Sequence, residues 1–170
     1  MEQSIINFAV YEDATELLGI ASVSLPDISW ATQELSGSGI AGSIESVVLS
    51  HLQAMTLTLN FRTTTQAAMS LVAPVPHLIE LRVAQQSLDE VNGTINVSPV
   101  RHVFVVVPKS YRAGSVAPAT NADASGDYAV RYWKTIVNGR VMTELDPLHF
   151  ICTINGADFA APVRAALGKQ

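Results

Sequence analysis

The side chains able to do chemistry are few and scattered. Four histidines, His51, His77, His102 and His149, stand far apart. None belongs to the H-x-x-x-H or C-x-x-C spacings that close on zinc. Cys152 is the single cysteine, and as a nucleophile it would need a basic neighbour to hold its thiolate. It alternates with Phe150 and Ile154, which reads as a small hydrophobe packed in a strand. Glu12, Asp13 and Glu16 form one acidic cluster and Asp89-Glu90 a second. Paired carboxylates do acid–base work when their surroundings drive their pKa values apart, but beside turn residues these read as solvated loop charges. Gly37-Ser38-Gly39 has the look of a phosphate loop, without the Lys-Ser/Thr that follows one and without a strand and helix on either side. No nucleophile elbow, Walker loop or dinucleotide fingerprint is present. The expectation is no catalytic residue, no metal site and no cofactor.

The elements that would carry these residues are mostly strands. In Met55-Thr56-Leu57-Thr58-Leu59-Asn60-Phe61 the apolar side chains share one face and the polar ones the other. Leu78 to Val83 and Tyr128 to Val137 are rich in β-branched and aromatic residues. Val103 to Val107 is continuously apolar, which predicts a strand buried on both faces, and Phe150 to Ile154 reads as another strand. Asn92-Gly93, Asn138-Gly139 and Asn155-Gly156 supply residues that tolerate the positive φ of two-residue type I′ turns. The middle pair predicts a hairpin in which Ile136 faces Val141.

One short helix is expected between Thr64 and Val72. Thr64 or Thr65 caps it, Ala67/Leu71 and Ala68/Val72 repeat at i,i+4, and Pro74 ends it. Two stretches read as loops: the Gly/Ser-rich Ser36-Gly37-Ser38-Gly39-Ile40-Ala41-Gly42-Ser43, and residues 113–126. Residues 1–170 read as a single domain.

Composition narrows the function. The chain of 170 residues is 48% apolar and only 15% charged, against roughly 25% charged in ordinary soluble proteins. No run approaches the ~18 consecutive apolar residues of a membrane helix. Much of the surface is therefore expected to be covered by copies of the same chain. The net charge of −5 and ten scattered basic residues leave no patch able to hold nucleic acid by counterion release. The amino terminus lacks a basic start and apolar run, which suggests a cytoplasmic protein.

The order of features resembles the major tail tube proteins of contractile phages and of R-type bacteriocins. Asn7 to Glu12 and Leu18 to Pro26 are similar to that family's opening strand. Leu35 with the glycine-rich stretch after it, the alternating Met55 to Phe61, and the closing Asn138-Gly139, Leu145-Asp146 and Ile154 to Asp158 follow in the family's order. The resemblance implies a mainly β fold of two packed antiparallel sheets, a sandwich or barrel, with one short helix. Six copies would close into a ring with a continuous inner β-barrel, and the rings would stack into a hollow tube inside a contractile sheath. Implied partners are the chain itself, the tail sheath protein, and baseplate, initiator or terminator proteins. DNA would be passing cargo only, and the subunit itself would bind no membrane. Assembly would take place in the bacterial host cytoplasm, and the mature location would be a phage or phage-like tail. On this reading residues 36–43 stack against the next ring, and Thr56, Thr58 and Asn60 face a pore whose wall is acidic or neutral. The competing readings are a soluble β-barrel that binds a ligand, and a β-barrel enzyme whose residues meet only in the fold.

Overall fold

A computed structural model describes residues 1–169. The chain runs β1 (Glu2–Glu12), β2 (Thr15–Glu16), β3 (Ile20–Ser24), β4 (Trp30–Ser36), β5 (Ser43–Leu52), β6 (Met55–Phe61), α1 (Gln66–Ser70), β7 (His77–Leu88), β8 (Ile95–Arg112), β9 (Ala124–Val137), β10 (Arg140–Asp146), β11 (Ile151–Ile154), β12 (Ala157–Asp158) and α2 (Ala161–Ala166). Ten strands form one antiparallel sheet in the order β12-β11-β10-β9-β8-β7-β1-β2, with β6 joined to β9 and β3 to β6. The remaining two, β4 and β5, make a separate two-stranded sheet.

The large sheet becomes a sandwich because its central strands are shared. The first half of β9 pairs with β6, from Ala124↔Phe61 to Val130↔Met55, and its second half pairs with β10, from Trp133↔Leu145 onward. The ladder between β8 and β9 shifts between Val105 and Val106 and again between Pro108 and Ser110. Such irregularities bend a strand and add twist. A single core cluster draws on both wings: Leu57, Leu59 and Phe61 from β6, Ile79 and Leu81 from β7, Phe104 and Val106 from β8, Leu145 and Cys152 from the far wing. The sheet therefore wraps around one core.

Local chemistry explains the elements. In β6, Met55, Leu57, Leu59 and Phe61 are all buried while Thr56, Thr58 and Asn60 are not, as the alternation predicts. Asn138 and Gly139 have φ of 49° and 77°, and Asn155 and Gly156 have 50° and 84°. Both pairs turn hairpins, and Val141 sits opposite Ile136. The segment around Asn92-Gly93 differs. It is a longer loop in which Asp89 accepts from Val91 N and Asn92 Nδ2, and only Gly93 has positive φ.

Thr65 caps α1 by accepting from Ala68 N at 3.1 Å, and Ala68 and Leu71 are its buried anchors. The second helix, α2, is an addition to the one helix expected. It starts on Ala160 without a side-chain cap, and Arg164 ties it to Asp158 and to the carbonyl of Phe150.

Three expectations need correction. Val103 to Val107 is buried on one face only: Phe104 and Val106 are inside, while Val103, Val105 and Val107 are half-covered. That face stays partly open to solvent among the described residues. Residues 36–43 do not wholly lack secondary structure, since Ser36 pairs with Ser43 and closes the β4–β5 hairpin. The loop ahead of β9 is 113–123, because Ala124 and Ser125 already pair with β6.

Candidate assembly surface

The groups with chemical potential do not converge. His77, buried, places Nδ1 2.6 Å from Glu12 Oε1 and Nε2 2.9 Å from the Ala73 carbonyl, so it joins β1 to the chain just past α1. Glu12 is thus not the solvated loop charge expected of it. His102 accepts at Nδ1 from Trp133 Nε1 at 3.3 Å, has Thr135 Oγ1 3.0 Å from the same nitrogen, and stacks near Phe104; burial holds its pKa below the ordinary value. His149 lies 2.6 Å from Asp146 Oδ2 at a turn that Asp146 also caps through Leu148 N. Burial raises the Cys152 thiol above its usual range, with Asp158 adding to the shift, which is the state of a packing residue. Among the described residues no three His, Cys, Asp or Glu side chains gather to hold a metal. No helix among them is long and apolar enough to cross a membrane.

Thr56, Thr58 and Asn60 occupy a polar face that extends across β3, β6, β9 and β8. Thr58 donates to Asp127 Oδ1 at 2.8 Å, Asn60 donates to Ser22 Oγ at 2.9 Å, and Lys109 Nζ donates to Thr56 at 3.1 Å. Asp127 is held below the ordinary carboxylate pKa, first by the Thr58 hydroxyl and then by Arg112. An open cleft of about 380 Å³ on the same face brings in Asp27 beside Thr56 and Thr58. Asp27 and Asp127 thereby balance Lys109 and Arg112. The alternation of β6 made this face legible, but the network across it needed the pairing of β6 with β9.

Residues 36–43 lie at the far end of an arm. Among the described residues the β4–β5 hairpin pairs with no other strand, and at its tip Gly37, Gly39 and Gly42 adopt φ of 141°, 94° and 139° with open space around them. Only glycine accepts such angles without strain. Leu35, Ile40, Ile44, Val47, Val48 and Leu49 are all exposed on the arm. Val47 and Leu49, with Trp30, Ile154 and Phe159, also line an open apolar groove of about 440 Å³ at its base. Ser50, with φ of 57°, lies where the pairing of the two arm strands is interrupted: Trp30 faces Leu52 but Thr32 faces Val47. Sequence reasoning identified the loop and missed the arm, whose strands mix Ser, Glu and Val without clean alternation.

Strand edges are also left open among the described residues: β3 pairs only with β6, and β2 covers only Tyr11 and Glu12 of β1. Unpaired edges and a projecting apolar arm are liabilities in a monomer. A β-sandwich that keeps both offers open edges and an apolar arm on which another protein chain can dock. The sequence matches the phage tail tube protein FII family over residues 2–168, so the chain belongs to that family and is a structural subunit of a tail tube.

Its fold is similar to that of the sheath/tube terminator of an extracellular contractile injection system, PVC, in the extended state. The TM-score is 0.53 at 16% identity, over 79% of this chain and 96% of that one. A chain of the sheath–tube complex of that system has a TM-score of 0.48 at 15% identity, over 77% and 87% of the two chains. The tube-terminating cap of the anti-feeding prophage has 0.47 at 18%, over 76% and 86%. No curated protein matches the sequence.

Proposed function

We propose that six copies close into a ring, that rings stack into a hollow tube within a contractile sheath, and that the subunit is a structural element and not a catalyst. The observation that carries this reading is the arm, whose apolar residues Leu35, Ile40, Ile44, Val47, Val48 and Leu49 stay exposed. Residues 36–43 at its tip contact the next ring. Three glycines with open space around them make that ordering entropically costly, so it occurs only when a neighbour supplies contacts. Heterologous contacts of this kind either close into rings or propagate.

On this reading the polar face of Thr56, Thr58 and Asn60 lines the lumen. Its two acids and two bases make a neutral wall that gives passing DNA no deep electrostatic well. The sheath, a baseplate or initiator, and a terminator are the other partners, and the mature subunit resides in a phage or phage-like tail. Electron microscopy of the purified chain at high concentration tests the reading, with hydrogen exchange beside it. Rings or tubes, with residues 36–43 protected only in the assembled form, are the expected result. A chain that stays monomeric at every concentration, or a loop equally protected in both states, refutes it.

A further inference from the structure

Charge is segregated along this chain. Residues 1–61 contain seven acidic residues and no Lys or Arg, so every basic residue lies in 62–170. On the arm, Glu34 stands directly opposite Glu45 across the β4–β5 ladder. Their side chains project to the same face as Val47 and Thr32, the next pair on that face. Like charges directly opposite destabilise a strand pair, and among the described residues neither glutamate has an ion pair or hydrogen bond.

The large sheet carries the inverse arrangement. Arg82 stands directly opposite Arg101 across the β7–β8 ladder. The two share one carboxylate, Glu80, at 2.5 and 3.3 Å, and remain 55% and 49% exposed. One carboxylate between two guanidinium groups leaves a net positive charge. On the same outer face, further along β8, Val97 and Ile95 are exposed.

We infer that the arm of one copy docks on the outer face of a second copy's β7–β8 pair, with Glu34 and Glu45 meeting Arg82 and Arg101. Directly opposed residues lie about 4.5–5.5 Å apart in any antiparallel ladder, so two carboxylates and two guanidinium groups meet at matched spacing. Val47, two residues along the arm from Glu45, then lies over the Ala84–Pro99 pair, two residues along from Arg82 and Arg101 on that face. The charge pairs fix register and polarity, since complementary charge selects orientation more than it adds affinity. Two arms brought together would instead oppose four carboxylates, so the free edges of β4 and β5 are steered away from pairing with each other. This inference rests on the tube reading and names the surface that receives the arm.

The test uses two full-length variants, Glu34→Lys/Glu45→Lys and Arg82→Glu/Arg101→Glu, checked by circular dichroism and followed by sedimentation and negative-stain microscopy. Each alone is expected to lose assembly by about tenfold or more. An equimolar mixture restores it, because every arm then finds an opposite charge when the two variants alternate. A third variant, Arg82→Gln/Arg101→Gln, is expected to fold like the parent and to assemble more weakly, with the salt dependence of assembly reduced. A mixture no better than its components, or single variants that assemble like the parent, overturns the inference. If the parent chain forms no rings or tubes under the same conditions, the tube reading fails as well.

Discussion

Gly126→Ala tests the packing that holds the two wings together. Gly126 lies in β9 directly opposite Tyr111 of β8, and the ring of Tyr128 folds back over it. A Cβ at position 126 would stand 2.5 Å from Tyr128 Oη, 2.8 Å from Cζ and 3.0 Å from Cε2. Tyr128 is 1% exposed, so the ring has nowhere to go without moving its neighbours. Overpacking of this kind costs about 1–3 kcal/mol. In a domain of this size each kcal/mol is worth about 2–4 °C, so a loss near 2 kcal/mol should lower the melting temperature by about 4–8 °C.

Tyr128 also supplies the control. Its hydroxyl is buried without a hydrogen-bond partner among the described residues, and burial pushes the phenol pKa up to about 12. Tyr128→Phe orphans no acceptor and is expected to be neutral or stabilising by about 1 kcal/mol. In the double variant the closest contact is gone while the ring carbons remain, so the rescue is partial, with a coupling near 1 kcal/mol. Thermal and denaturant melts of the dilute, unassembled protein complete the cycle. A Gly126→Ala protein that melts with the parent, or a penalty that Tyr128→Phe leaves undiminished, refutes the steric account.

Leu57→Ala removes a fully buried side chain of β6 and is expected to cost about 2–5 kcal/mol in denaturant melts. His77→Ala leaves Glu12 largely buried without its partner and should cost roughly 3 kcal/mol at neutral pH by the same measurement. Gly139→Ala puts a side chain at φ of 77° in the β9–β10 turn and should cost about 1 kcal/mol, whereas the exposed Leu148→Ala should change stability little. His102 is held neutral in the fold, its pKa below the ordinary 6.5. The unfolded chain therefore binds the extra proton as pH falls through about 6.5, and stability drops from there toward the lower folded pKa. Melts between pH 7.5 and about 5.5 should show that slope in the parent and less of it in His102→Asn.

Much of the fold was legible because it is local. The alternation of β6, the Asn-Gly turns at 138 and 155, the cap at Thr65 and the packing role of Cys152 each depend on residues within one or two turns of chain. Those interactions are encoded in side-chain period and allowed φ. The polar face of Thr56, Thr58 and Asn60 was readable for the same reason. The short α2 was not, since it has no capping side chain and depends on Arg164 reaching Asp158 and Phe150.

The tertiary structure decided what depends on distant partners. It set Glu12 against His77, 65 residues apart, where the sequence suggested a solvated charge. It left the outer face of Val103 to Val107 half-covered, because continuous apolarity tells that a strand wants two covers and not whether its own chain provides both. It divided β9 between β6 and β10, and it carried β4–β5 clear of the core as an arm. Composition predicts that surface is covered by other copies. Only the pairing of strands determines which edges and which arm stand open, because register and edges are properties of the assembled sheet and not of any one segment.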